Sequence, residues 1–140
     1  MRLDPGNTIK MRRQIADAIE RHAKQTVPNE CCGLLAGHGN VVLSIYPLRN
    51  VAETPETRYF ADLMDVVAAF KQMRISGEQL LGIYHSHPCS AAHPSETDIR
   101  QAYYPEAAYF ILSLEPHLEL RAYRIVSGQV EEMAYEISES

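Results

Sequence analysis

The stretch Leu80-Leu81-Gly82-Ile83-Tyr84-His85-Ser86-His87-Pro88-Cys89-Ser90-Ala91-Ala92-His93-Pro94-Ser95-Glu96-Thr97-Asp98 changes character twice within its length. Leu80 to Tyr84 is a short apolar run of the kind that forms a strand buried on both faces. It runs straight into His85 and His87, and Pro88 stops it there because proline has no amide hydrogen to give the ladder. In extended chain, residues two apart point to the same face. Both imidazoles can therefore converge on one ion at the end of the strand, where ligands often gather in α/β sheets.

The small-residue loop Cys89 to Pro94 then leads to a short helix starting at Ser95, which Pro105 ends at the latest. Ser95-Glu96-Thr97-Asp98 has two readings. Ser-x-x-Asp is the pattern of a capping box, in which each side chain satisfies a free amide hydrogen of the other residue. The same spacing sets both side chains on one face of the helix start and offers Asp98 as a third ligand. A catalytic zinc takes three protein ligands and keeps one position for water. The two readings are compatible: Ser95 begins the helix while Asp98 faces the metal.

Working outward, Met11 to Gln25 places Met11, Ile15, Ala18, Ile19 and His22 on one helical stripe, and Pro28 blocks its continuation. Cys31 to Ala36 and Val41 to Tyr46 read as two strands around the turn Gly37-His38-Gly39-Asn40. Arg49 to Thr57 reads as a loop. Asp62 suits a helix cap, Leu63, Val66, Val67, Phe70 and Met73 recur at helical spacing, and Gly77 is a natural stop. Tyr109 to Leu114, Leu118 to Val126 and Val130 to Tyr135 follow as strands, with Ser127-Gly128 as a tight turn. Strands and helices do not alternate evenly. The expectation is one α/β domain over residues 1–140, a sandwich with a mixed central sheet flanked by helices, its tail frayed from about residue 136.

Composition narrows the partners. Apolar residues make up 46% and charged residues 22%, which suits a folded globular chain. The net charge of −5, with Arg12-Arg13 the only adjacent basic pair, lacks the footprint that a phosphate backbone requires. Nucleic acid is not expected. No apolar stretch approaches the roughly 20 residues needed to span a bilayer, and residues 1–6 show no signal-peptide core. Three cysteines, two of them adjacent, make a poor disulfide framework and fit reduced thiols in a cytoplasm.

His85-Ser86-His87-Pro88, seven residues from His87 to Ser95, then Ser95-Glu96-Thr97-Asp98, resembles the signature of the JAMM (MPN-plus) metalloproteases. Upstream, Glu30-Cys31-Cys32-Gly33-Leu34-Leu35-Ala36-Gly37 resembles that family's glutamate-bearing strand start, and the likeness runs from about residue 10 to 126. The resemblance implies a cytidine-deaminase-like JAMM/MPN fold, with zinc held by His85, His87 and Asp98. It implies Glu30 as general base and proton shuttle, and Ser95 as donor to the oxyanion. From the residues alone Glu30 reads as a solvated turn residue. The reaction implied is hydrolysis of an amide or isopeptide bond after the Gly-Gly tail of a ubiquitin-like protein. Small stand-alone bacterial members of the family are linked to ubiquitin-like sulfur carriers. The short loop from Cys89 to Pro94 favours simple tail trimming.

Two rival functions are weighed. A zinc deaminase needs His-x-Glu followed by Pro-Cys-x-x-Cys; here the third residue is His87, and Pro88-Cys89 lacks the second cysteine. A non-catalytic MPN scaffold has lost ligand residues, whereas this chain keeps all five. Cys31, Cys32 and Cys89 are read as small buried or incidental residues. His93 lies between the ligands, within reach of a substrate, and His22, His38 and His117 are assigned nothing.

Overall fold

Ile9, Lys10, Met11 and Arg12 alternate buried and exposed, which is the period of a strand, β1 (Ile9–Arg12). The helix expected from Met11 starts later, as α1 (Arg13–Thr26), with Ile15, Ile19 and Ala23 buried. Met11 stands four residues before Ile15, so it fits the helical stripe as well as the strand. Pairing decides: β1 is held between two other strands. The computed structural model describes residues 8–139, so the reading of residues 1–6 as free of a signal-peptide core lies outside the described residues.

The remaining elements are β2 (Cys32–His38), β3 (Val41–Leu48), α2 (Leu63–Ser76), β4 (Gln79–His87), α3 (Glu96–Arg100), β5 (Ala108–Ser113), β6 (Glu119–Val126), β7 (Gln129–Met133) and β8 (Tyr135–Ser138). They form one mixed eight-stranded sheet in the order β7-β6-β5-β4-β2-β3-β1-β8. β4 lies in its middle, antiparallel to β2 and parallel to β5. The sandwich expected from the sequence is the one observed. The frayed tail is corrected: Tyr135 to Ser138 pair in register with β1, and Glu139 forms an ion pair with Arg13 at 3.0 Å. Alternation explains this, since Tyr135 and Ile137 turn inward while Glu136 and Ser138 face solvent.

β7 and β8 stand at opposite ends of the strand order, yet only Ala134 separates them. One residue bridges at most about 7 Å between its neighbours. The two edges of the sheet therefore meet at Ala134, and the sheet curls around α1. Tyr135 seals the seam, donating its hydroxyl to the Leu120 carbonyl at 2.6 Å and meeting the Phe110 ring edge-on at 5.4 Å.

Each face of the sheet has its own core. Ile15, Ile19 and Ala23 of α1 pack with Leu35, Tyr84 and Phe110 on one face. Ala69 and Met73 of α2 pack with Leu34, Ala36 and Ile83 on the other. α2 begins where the Asp62 carboxylate accepts the Asp65 amide and stops at Gly77, whose φ of 74° is the left-handed turn glycine makes at little cost. Its expected apolar stripe is only partly covered. Leu63 and Val67 are exposed, while Met73 of the stripe is buried together with small Ala69. No helix among the described residues is long and apolar enough to cross a membrane.

Candidate metal centre

The alternation of β4 sends Tyr84 toward α1 and sets Ile83, His85 and His87 on the α2 side. Both histidines are buried, and their Nε2 atoms lie 3.1 Å apart. Asp98 enters from α3, with Oδ2 at 3.1 Å from His85 Nε2 and 3.2 Å from His87 Nε2. The capping box is present as well: the Ser95 amide donates to Asp98 Oδ2 at 2.9 Å, and the Asp98 amide donates to Ser95 Oγ at 3.0 Å. The cap is formed, and the carboxylate oxygen that makes it is the one that faces both imidazoles. Ser95 is exposed, and its hydroxyl hydrogen stays available to another acceptor.

The donor set fits a divalent ion. His87 Nδ1 faces the Ala91 carbonyl at 2.8 Å. A carbonyl can only accept, so Nδ1 carries the hydrogen and Nε2 presents a lone pair. A lone pair, a second ring nitrogen and a carboxylate oxygen form a near-equilateral triangle with sides of 3.1 to 3.2 Å. Ligands about 2.0–2.1 Å from a tetrahedral zinc stand roughly 3.3–3.4 Å apart. Nitrogen and oxygen donors suit that ion, and three of them leave a position open. Burial raises the pKa of Asp98, but the hydrogen bonds from His85 and His87 outweigh it and hold the carboxyl well below the usual range. Burial likewise lowers that of His87, and the Asp98 carboxylate and Ala91 carbonyl reverse the effect.

Glu30 precedes β2 and is buried, with Oε1 lacking any hydrogen-bond partner from the chain. Burial pushes its carboxyl up to about 8, against the pull of His87. Its place beside the histidines comes from the strand start: Cys32 pairs with His85, the Cys31 amide donates to Ser86 Oγ at 2.8 Å, and the Ser86 amide donates to the Cys31 carbonyl at 3.1 Å. An unpartnered carboxylate oxygen in such a place is costly unless a ligand answers it.

Three side chains from three strands fasten successive carbonyls of the loop at residues 88–94. Ser113 donates to Ser90 at 2.7 Å, His87 donates to Ala91, and the Tyr123 hydroxyl donates to Ala92. Cys31 and Cys32 are buried, and burial pushes their thiols up to about 11 and about 12, so neither is a thiolate at neutral pH. Cys89 is exposed and stands outside the His/His/Asp group. His93 meets Tyr123 edge-on at 5.9 Å and is also outside the group. His22 takes a role the sequence did not suggest, a hydrogen bond to the Tyr84 hydroxyl at 2.7 Å.

Tyr59 was not foreseen either. Its ring stacks on His85 with centroids 4.6 Å apart and planes at 29°. It also borders an apolar groove of about 830 Å³, walled by Phe60, Val66, Phe70, Tyr103 and Tyr104. The groove therefore reaches a ligand imidazole through one shared side chain.

The model of prokaryotic homologs of the JAB domain matches residues 12–126. The chain is 38% identical over 128 residues to a CysO-cysteine peptidase of Mycobacterium tuberculosis, covering 87% of this chain and 86% of that protein. It is 34% identical to a probable TtuB-protein conjugate cleaving protease of Thermus thermophilus, covering 89% of this chain and 80% of that one. A solved structure from Desulfitobacterium hafniense superposes with a TM-score of 0.85 at 34% identity, over 95% of this chain and 94% of that one. A JAB1/MPN domain protein from Archaeoglobus fulgidus superposes with a TM-score of 0.64 at 21% identity, over 95% and 100%, and this likeness carries the fold.

Proposed function

Since the chain belongs to the prokaryotic homologs of the JAB domain, as a small JAMM-type protein, we propose that it is a zinc-dependent peptidase. In this reading it hydrolyses the amide bond after the Gly-Gly tail of a ubiquitin-like protein, of the sulfur-carrier kind, in the cytoplasm. The observation that carries the reading is the triangle of His85, His87 and Asp98 donors, with the buried, unpartnered Glu30 oxygen in the same face.

His85, His87 and Asp98 would hold the ion, which would supply a Lewis acid able to bring the pKa of a water to about 7. Glu30 would accept a proton from the attacking water as the water's oxygen bonds to the carbonyl carbon. It then delivers that proton to the amine nitrogen as the C–N bond breaks, which an amide requires because an unprotonated amine leaves poorly. Burial pushes the Glu30 carboxyl up, which makes its carboxylate a stronger proton acceptor than an exposed glutamate. Ser95 Oγ donates to the oxygen that becomes negative, a contribution of roughly 3 to 4 kcal/mol where such donors are fixed. The capping box fixes this one. The apolar groove beside Tyr59 gives a protein substrate a surface to lie on.

The test is to incubate the zinc-loaded protein with carrier proteins extended by one residue past Gly-Gly and to follow the released residue by mass spectrometry. Release is expected, and Glu30→Gln is expected to slow it by about 10²- to 10⁴-fold while retaining zinc. Equal release by Glu30→Gln would remove the general base from the scheme. Cleavage with no preference for a Gly-Gly-X tail would remove the substrate assignment.

A further inference from the structure

The loop at residues 49–61 closes around one side-chain amide. Asn50 pairs with Ala61 in an isolated bridge at the loop's neck, and the Val51 amide donates to the Phe60 carbonyl at 2.8 Å. Inside the neck, Asn50 Oδ1 accepts the amides of Ala52 and Phe60, each at 3.0 Å. Nδ2 faces the carbonyls of Glu30 and Arg58, each at 3.0 Å, and that of Pro55 at 3.4 Å. Two hydrogens serve three acceptors, so every polar position of this side chain is engaged.

Three of these contacts lead to the neighbours of the metal ligands, Glu30 and Tyr59. Glu30 lies ahead of β2, outside the regular ladder, and both of its backbone polar groups are answered by this loop. Its amide donates to Pro55 at 2.8 Å, and its carbonyl accepts from Asn50. Arg58 and Phe60 flank Tyr59, so Asn50 grips the peptide carbonyl before Tyr59 and the peptide hydrogen after it. Tyr59 in turn stacks on His85. One amide thus links the carboxylate-bearing segment to the ring that backs a ligand imidazole.

We propose that Asn50 is a positioning residue for the hydrolytic centre: it fixes Glu30 and Tyr59 in a common frame and acts on the reaction only through them. The proposal rests on the reading of Glu30 as general base. Asn50→Asp is the incisive substitution. It keeps the acceptor oxygen for Ala52 and Phe60 and replaces the donor with a charged oxygen facing three carbonyls. Asn50→Ser, uncharged and too short to span these partners, is the second variant should the first not fold.

Expected for the zinc-loaded protein is a fall in kcat on the order of 100-fold, the size seen when a reacting group is misplaced by about an ångström. KM and zinc content stay unchanged. In a Glu30→Gln background the same substitution should cost about tenfold less, the remainder acting through Tyr59. A residue that merely supports the fold would cost the same in both backgrounds, and that result overturns the proposal, as does an unchanged kcat. Hydrogen exchange supplies an arm independent of activity. Asn50→Asp should speed exchange of the Glu30 and Phe60 amides while β5 stays protected, and unaltered exchange at those amides overturns the proposal. If the parent protein cleaves no extended carrier, the peptidase reading fails, and the exchange arm alone decides for or against Asn50.

Discussion

At the residue scale, Glu30 ties function to stability, with a sign that can be worked out. Its carboxyl is raised from 4.5 to about 8 in the folded chain by burial. Between those values the folded state holds a proton that the unfolded state has lost, so stability is full below 4.5 and declines as pH rises to about 8. His87, raised above its ordinary 6.5, adds to the decline on the alkaline side. Asp98 acts oppositely: held well below its ordinary 3.8, it contributes above that value and is lost as acid protonates it. The metal-free protein should therefore be most stable in mild acid. Glu30→Gln should flatten the loss toward pH 8, as urea denaturation in EDTA at three pH values would show. Parallel slopes for the two proteins would mean that Glu30 is not buried as described. His85, His87, Ser95 and Asp98 were legible because a strand's period and a helix's first turn translate spacing into direction. Glu30 was legible only through the family resemblance, since nothing in its neighbours marks a glutamate before an apolar run as buried. Asn50 and Tyr59 were not legible at all. Their partners are backbone groups and a ring distant in sequence, and no spacing encodes such contacts.

Among the elements, β2 and β4 carry the site, and their contact sets a strict demand at Gly33. A Cβ there would stand 2.2 Å from Tyr84 Cε2 and 2.4 Å from its hydroxyl oxygen. Tyr84 is fully buried and held by His22, so it has no way to yield. Gly33→Ala should cost about 3 kcal/mol or more, as overpacking in a rigid site does, and a denaturation midpoint within error of the parent would refute this. β2 through β6 were readable from short apolar runs between turn residues. β1 was not, because Met11 satisfies a helical and an alternating period at once. β8 is only four residues long and lies near the chain's end, where fraying is the default expectation. α2 was placed correctly and its face was misjudged. Leu63 borders the groove and is exposed, and hydrophobicity alone does not distinguish a groove wall from a core position.

For the molecule as a whole, the ligand triangle joins β4 to α3, so occupancy should raise stability globally. An ion at 100 times its dissociation constant contributes about 2.7 kcal/mol. Zinc should raise the melting temperature, EDTA should reverse the rise, and Asp98→Asn should show neither. A melting temperature indifferent to zinc in the parent protein would argue against the site. The seam at Ala134 governs how such a molecule comes into being. Arg13 and Glu139, an ion pair at the end of the β1–β8 pairing, are 126 positions apart. At roughly 5–20 residues per second, a ribosome has released β1 for several seconds before β8 exists. During that interval β1 has an unclaimed hydrogen-bonding edge, and newborn chains on one messenger can pair through it. Chaperone binding to nascent chains should accordingly be densest before the codons for residues 135–138 are read.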